Sequence, residues 1–206
     1  MLAAVSRVRA ADRPDPRPLA PPPDEAGLRA AAVAHLARYA TTEARLRQVL
    51  ARRIERWARA AGAGSDVPEI AAARAAVPRV VAALAAAGAL SDAAFAASRA
   101  RSLHRAGRSR RAIAAHLAAK GVPPETARSV LPEDASGELA AALLLARRRR
   151  LGPFRAAPLP PDDPAAARRE QGVLARAGFA EAVVRRALGC ERAEAETLII
   201  ALRAGG

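Results

Sequence analysis

One segment of this chain is repeated as a second segment with a similar pattern of residues. HLAAKGVPPETARSVL, residues 116–131, aligns without gaps with VLARAGFAEAVVRRAL, residues 173–188. In each copy a helical stretch ends at a glycine, Gly121 or Gly178, and an apolar residue and a second short helical stretch follow. A glycine at this point is typical of the left-handed residue that ends a helix. The repeat therefore predicts pairs of helices that fold back on each other, with positive φ at both glycines.

Apolar residues at helical spacing extend this repeat into units of three helices. Residues 42–57, TEARLRQVLARRIERW, supply a further copy of the first helix, in which Leu46 and Leu50 stand where Ile113 and Leu117 stand. Units this small cannot each bury a large core, so they stack and share one. We expect an all-α fold of tandem three-helix repeats, stacked into an elongated, curved body. The predicted parts are a disordered Pro/Arg-rich leader at 1–24, repeats at 28–88, 90–131 and 135–189, and a C-terminal tail at 190–206 with room for a short helix.

The charge balance is strongly basic. Lysine and arginine total 34 against 20 acidic residues, for a formal charge of +14, and Lys120 is the single lysine. Arginine suits flat, bidentate contacts to phosphate, which indicates a nucleic acid or an acidic partner. A GC-rich genome also enriches arginine, but that bias does not explain so large an excess over acidic residues.

Two clusters of arginine are the candidate contacts to such a partner. The first surrounds a predicted corner between two helices, and the second follows a predicted helix C-terminus. A solvated helix face is the alternative for any charge run, and the helix dipole alone stabilises cations at a C-terminus by about 0.3–1 kcal/mol each. The candidates are Arg101, Arg105, Arg108, Arg110 and Arg111, then Arg147, Arg148, Arg149, Arg150 and Arg155, with Lys120 as a further one.

Residues for catalysis or for a cofactor are not arranged in any recognised pattern. His35, His104 and His116 are far apart, and there is no second cysteine to ligate a metal with them. The acidic pairs Glu133-Asp134 and Asp162-Asp163 fall in predicted loops and indicate solvated surface. We therefore expect no enzyme activity, no cofactor and no bound metal.

The lone Cys190 excludes an internal disulfide and is typical of a reducing compartment. No stretch approaches the roughly 20 apolar residues that span a bilayer, and the leader has no apolar run fit for a signal peptide. We expect a cytoplasmic protein with no membrane partner.

Three stretches resemble the RecX family, together covering about residues 28–189: LARYATTEARLRQVLARRIERW, ALSDAAFAASRARSLHRAGRSRRAIAAHLAAKGVP and LARAGFAEAVVRRAL. The chain departs from the family pattern in two places. The first unit lacks the usual glycine after its second helix, and the third has Glu170 and Gly172 where an apolar helix face is expected. The middle stretch carries most of the likeness, with matches at Leu90, Asp92, Phe95, Arg101, Gly107, Ile113, Leu117, Lys120, Gly121 and Val122.

The resemblance implies a regulatory protein that sits in the groove of the RecA–single-stranded DNA filament. It implies modulation, usually inhibition, of RecA ATPase, recombination and the SOS response. The partners would be the RecA filament and single-stranded DNA, bound without sequence preference and with strong salt dependence, and we expect a monomer.

Two other interpretations remain open at this point. Residues 113–131 have the helix–glycine–helix cadence of a helix-turn-helix transcription regulator. Its recognition helix would open Pro-Pro-Glu and end before Pro132, so only Thr126, Arg128 and Ser129 could reach base edges. The other alternative, a small nucleic-acid hydrolase, lacks a carboxylate cluster for metals.

Overall fold

A computed structural model of the protein describes residues 21–62, 67–157 and 164–204. Within these ranges the chain forms ten α-helices and no strand, which confirms the all-α helical-repeat fold. None of these helices is both long enough and apolar enough to cross a membrane. Most of the predicted leader, the acidic pair Asp162-Asp163 and the last two residues lie outside the described residues.

The first unit contains α1 (Glu25–Leu36), α2 (Glu43–Ala60) and α3 (Pro68–Ala86). Helix α1 begins before the predicted start at residue 28, because the Asp24 carboxylate accepts a 2.7 Å hydrogen bond from the Gly27 N–H and caps the helix there. The first apolar residue of the helix comes only later, so hydrophobic periodicity alone misses this turn. Side chains from all three helices form one core, including Leu28, Leu46, Leu50, Ile54, Ile70 and Val81.

The second unit contains α4 (Asp92–Arg105), α5 (Arg110–Ala119) and α6 (Pro124–Ser129). Ser91 and Ser109 cap α4 and α5, since their hydroxyls accept from N–H groups in the first turns of these helices. The core of this unit is small and half of it is alanine: Ala96, Ala100, Ile113, Leu117, Val122 and Ala127. So small a core depends on its neighbours for stability.

The third unit contains α7 (Ala135–Arg149), α8 (Pro164–Arg176) and α9 (Glu181–Gly189), with a 3₁₀ turn at Gly152–Phe154. A tenth helix, α10 (Arg192–Ala204), packs against α7 and buries Ala195 and Ile199. The predicted tail is therefore part of the third core. The cause lies in α7, whose central turns are apolar on every side, so α9 alone does not cover them.

We call the contact between two consecutive units a joint. The first joint links the first and second units, the second joint links the second and third, and both use the same pattern of hydrogen bonds. At the first joint, the Thr42 hydroxyl accepts from the Arg45 N–H at 3.1 Å and donates to the Lys120 carbonyl at 2.6 Å. At the second, the Ser109 hydroxyl accepts from the Ala112 N–H at 3.2 Å and donates to the Ala177 carbonyl at 2.7 Å. In each case the residue that caps a second helix also binds the end of the equivalent helix in the next unit.

A carboxylate completes each joint. The Glu43 N–H, first in α2, donates to Asp92 in the first turn of α4 at 2.8 Å. The Arg110 N–H, first in α5, donates to Glu138 in the first turn of α7 at 3.1 and 3.2 Å. A carboxylate near a helix N-terminus is stabilised by the helix dipole. The second and third units therefore each contribute an acidic side chain to the N-terminus of the second helix in the unit before.

A glycine follows the carbonyl that accepts the hydroxyl hydrogen bond at each joint, that of Lys120 or of Ala177. This glycine allows the two units to approach closely. Gly121 has φ of 76° and Gly178 has φ of 93°, so both are left-handed as predicted. A Cβ on Gly121 would lie 2.4 Å from the Ala44 Cβ, and one on Gly178 would lie 2.8 Å from the Ser109 Oγ. Both positions therefore require glycine for conformation and for space.

We expect Gly121→Ala to destabilise the protein more than Gly88→Ala. Gly88 has φ of 70° with nothing within 4 Å of an added Cβ, so its substitution measures the left-handed penalty alone, about 1–2 kcal/mol. Gly121→Ala adds the collision with Ala44, which overpacking puts at about 1–3 kcal/mol more. Urea denaturation measures both, and equal losses in the two variants would contradict the joint described above.

Candidate nucleic-acid and protein interface

The first predicted arginine cluster lies at the corner between α4 and α5. Arg101 and Arg105 are in the second half of α4, Arg108 is in the turn, and Arg110 and Arg111 open α5. All five side chains are exposed. The sequence thus places five cations along one bend of the chain, where none is needed for the core.

Glycine fixes this bend against the third unit. Gly107 has φ of 78°, and a Cβ there would lie 3.2 Å from both the Ala141 carbonyl oxygen and the Leu144 Cγ of α7. The corner is therefore pressed onto the middle of α7. One of its arginines is also packed, since the Arg111 Cβ lies 3.3 Å from where a Cβ on Gly178 would stand.

The second predicted cluster meets the first at this place. Arg147, Arg148 and Arg149 form the last turn of α7, and Arg150 is its left-handed C-cap with φ of 56°. The Arg148 Nη1 donates to the Ala106 carbonyl at the end of α4, at 2.8 Å. This bond joins two clusters about 40 residues apart in sequence. We call the combined surface the arginine corner: Arg101, Arg105, Arg108, Arg110, Arg111, Arg147, Arg148, Arg149 and Arg150.

Arg155 has a different environment from the other candidates. Its Nε and Nη2 donate to the two carboxylate oxygens of Glu170 at 2.9 and 2.6 Å, and the Gly152 N–H donates to Glu170 at 3.1 Å. The Glu170 side chain is only 11% exposed. The hydrogen bonds from Arg155 lower the pKa of Glu170 despite its burial, and the same pair raises the pKa of Arg155. Arg155 thus binds within the third unit.

This ion pair also explains one departure from the family pattern. Glu170 occupies a position where an apolar residue is expected, and it is buried there because three donors satisfy its oxygens. The sequence signal was a lone acidic residue on an otherwise apolar face. Only the structure identifies its partner, since Arg155 lies across the loop that leads into α8.

Lys120 is the C-cap of α5 in the first joint, and its side chain is exposed. Sequence analysis missed two residues beside it. The Arg99 Nε donates to the His116 Nε2 at 3.1 Å. Partial burial, followed by the charges of Arg99, Lys120 and Arg108, lowers the pKa of His116. The positive charges of Arg99, Lys120 and Arg108 thus all act on His116, whose Nε2 accepts from Arg99.

The geometry gives little support to the helix-turn-helix interpretation. The would-be recognition helix α6 has six residues, shorter than two turns. The Ser129 hydroxyl donates back to the Thr126 carbonyl at 3.0 Å, and α6 packs against α4 and α5. The Arg128 Nε also donates to the Pro124 carbonyl at 3.3 Å, so two of the three side chains that would read bases are engaged with their own helix.

Other candidate chemistry is sparse in the described part of the chain. No three His, Cys, Asp or Glu side chains come together there in a way that would hold a metal ion. Burial, with a hydrogen bond to Glu194 as the second cause, raises the pKa of the Cys190 thiol. Cys190 therefore stays protonated at neutral pH and is a poor nucleophile.

Comparison with known proteins agrees with the sequence resemblance. The family model for the second three-helix domain of RecX matches residues 91–131. The regulatory protein RecX of Myxococcus xanthus (strain DK1622) is 38% identical over 164 residues, which cover 78% of this chain and 83% of that protein. The regulatory protein RecX of Agrobacterium fabrum (strain C58 / ATCC 33970) is 37% identical over 111 residues, which cover 54% of this chain and 58% of that protein. No solved structure matches.

We expect Glu170→Gln to destabilise the protein by about 1–3 kcal/mol, because it leaves the Arg155 guanidinium without a charged acceptor. The matched control is Glu196→Gln, which removes a solvent-exposed ion pair with Arg192 and should cost under about 1 kcal/mol. Thermal melting at neutral pH compares the two. Equal losses would show that the Arg155–Glu170 pair contributes no more than a surface pair.

The same pair predicts a pH dependence. The folded pKa of Glu170 lies below its ordinary value of 4.5, so the unfolded chain takes up the proton first as the pH falls. The stabilisation is complete above 4.5 and is lost as the pH falls through the folded value. The free energy of unfolding of Glu170→Gln should therefore fall less between neutral and acid pH than that of the unchanged protein. A parallel decline in the two proteins would contradict this assignment.

Proposed function

Because the chain belongs to the RecX family of regulatory proteins, we propose that it binds RecA on single-stranded DNA and lowers RecA ATP turnover and strand exchange. The protein would act by occupying the groove of the filament. In this proposal it acts without catalysis of its own, in the cytoplasm and as a monomer.

The arginine corner is the observation that carries the proposal. It brings together two arginine-rich segments that are distant in sequence, 101–111 and 147–150, and the bond from Arg148 to the Ala106 carbonyl holds these segments together. Of the described acidic side chains, only Glu138 is bonded to this surface, and its carboxylate accepts from the Arg110 N–H rather than from a guanidinium. Burial raises the pKa of Glu138, and the hydrogen bond and the charge of Arg110 partly offset this shift. The surface therefore favours phosphates or acidic protein.

The stacked units suit a filament better than a small substrate. Consecutive units meet at repeated joints, so their faces form a long surface instead of one enclosed pocket. Contacts to RecA by part of this surface and to DNA by the arginine corner would act together, since binding at one site raises the effective concentration at the other. Phosphate contacts alone would make binding to bare DNA weak and strongly dependent on salt.

We expect reversal of Arg105, Arg108 and Arg149 to glutamate together to abolish the effect on RecA. These side chains are exposed and make none of the joint contacts, whereas Arg111 packs on Gly178 and Arg148 bonds the main chain. The assay is ATP hydrolysis by RecA on single-stranded DNA with increasing protein, together with co-sedimentation of the protein with filaments at moderate salt.

The matched control reverses Arg29, Arg185 and Arg203, three exposed arginines of the first and third units, and changes the net charge equally. It should retain the effect, and both variants should keep a helical circular dichroism spectrum. If the unchanged protein neither alters hydrolysis nor sediments with filaments, the proposed function is wrong. If both triple variants lose the effect equally, net charge rather than the arginine corner is responsible.

A further inference from the structure

We propose that the groove between the first and second units is a binding site for single-stranded DNA, in which a base stacks on Tyr39 and the flanking phosphates contact Arg45, Arg99 and Lys120. The inference rests on the proposed function for its choice of DNA, but the site is separate from the arginine corner. Its test uses no RecA, so the two proposals fail independently.

The groove has a volume of about 790 Å³ and runs beside the first joint. Its cations come from three elements: Arg45 from α2, Arg99 from α4 and Lys120 from the end of α5. Hydroxyl side chains stand between them, and none of the described residues that line the groove is acidic. The hydroxyl-bearing residues of the lining are Tyr39, Thr41, Thr42, Ser91, Ser98 and Ser102.

These three cations have no carboxylate partner among the described residues. Arg45 donates to the amide oxygen of Gln48, and Arg99 donates to the His116 imidazole, which are both neutral acceptors. The nearest carboxylates of the joint are used elsewhere: Asp92 accepts from the Glu43 N–H, and Glu43 pairs with Arg47 at 2.6 Å. The positive charge in the groove is therefore available to an anionic ligand.

Tyr39 supplies a surface for stacking. It is 59% exposed, and its ring lies 5.1 Å from the ring of His35, centroid to centroid, at a 40° angle. It sits in the turn between α1 and α2, which spans residues 37–42, whereas the equivalent turn of the second unit spans only 106–109. The two extra residues include an exposed aromatic ring that no core requires.

Further cationic side chains lie on the other side of the Tyr39 ring. A second depression of about 480 Å³, between α1 and α2, is also lined by His35 and Tyr39. Its charged lining residues are Arg38, Arg53 and Arg56. Tyr39 therefore stands between two cationic depressions, which is the arrangement that a strand needs when one base stacks and the backbone continues in both directions.

An unsatisfied hydroxyl lies in the same groove. Thr41 lines it and is only 7% exposed, and its Oγ1 has no hydrogen-bond partner among the described residues. The adjacent Thr42 uses its hydroxyl twice, in the joint. A buried hydroxyl without a partner costs free energy. The oxygen is inaccessible in this conformation, so a ligand in the groove would reach it only after the side chain moves.

Single-stranded DNA fits these features better than an acidic peptide does. A peptide carboxylate would use the cations but not the exposed ring, while every base presents a π-face to an aromatic side chain. A duplex keeps its bases stacked within the helix and offers no free base. The combination of cations and an exposed ring selects an unpaired strand.

The experiment measures binding of a fluorescein-labelled oligothymidine to the full chain by fluorescence anisotropy, without RecA. Tyr39→Ala should weaken binding by about 5-fold or more, the loss typical of one stacked base. Tyr39→Phe keeps the ring and should bind like the unchanged protein. Since Tyr39 is exposed, neither substitution removes a core contact, and melting temperatures should confirm this.

A further variant and its control test the phosphate contacts. Lys120→Gln should reduce the slope of log affinity against log salt by about 0.7, while Arg203→Gln, on α10 in the third unit, should leave the slope closer to its original value.

Several results would overturn the site. Tyr39→Ala could bind oligothymidine as tightly as the unchanged protein, or Tyr39→Phe could be as weak as Tyr39→Ala. A fluorescent polyglutamate peptide could also bind in a Tyr39-dependent way while oligothymidine does not, which would assign the groove to an acidic protein segment. If the unchanged protein binds oligothymidine in a Tyr39-dependent way but neither alters RecA hydrolysis nor sediments with filaments, the proposed function is wrong and this site stands.

Discussion

The fold depends on one hydrogen-bonded joint that is used twice. A buried hydroxyl, Thr42 or Ser109, caps a helix and donates to the last carbonyl before a left-handed glycine in the next unit. Each such bond contributes only about 1 kcal/mol in net terms. The geometric effect is larger, because the glycine brings two backbones to a distance at which any side chain would collide. The joint thus fixes the position of the second and third units on the unit before each of them. It also supports the second unit, whose own core is small and rich in alanine.

The sequence predicted the elements of this joint but not their contacts. Glycine at residues 121 and 178 identified the left-handed helix ends. Periodicity is a local signal, so it could not show that Ser109 binds a carbonyl 68 residues away. For the same reason the sequence analysis did not assign the predicted tail to the third unit. Helix α10 is amphipathic by itself, and only the packing of the apolar α7 shows that α10 is needed to cover it.

The charged residues show a similar limit. Sequence analysis grouped arginines by their proximity in the chain, and this placed Arg155 with Arg147–Arg150. Folding separates them by function, since Arg155 neutralises a buried carboxylate and Arg148 bonds the neighbouring unit. Conversely, Arg45, Arg99 and Lys120 are distant in sequence and line one groove. A basic composition predicts attraction to phosphate, but the set of cations that acts together depends on the joints.

The first unit departs from the family pattern for a reason that the joint supplies. A glycine is needed after a second helix when that helix end docks onto the cap of a preceding unit, as at Gly121 and Gly178. Among the described residues no three-helix unit precedes the first, so no docking of units demands a glycine at the position equivalent to Gly121 and Gly178. Helix α2 continues past this position through Ile54, which is buried in the core of its own unit. The helix ends instead just before Gly62, which has φ of 61° and nothing within 4 Å of an added Cβ among the described residues, so this glycine serves the backbone turn alone and not a neighbouring unit.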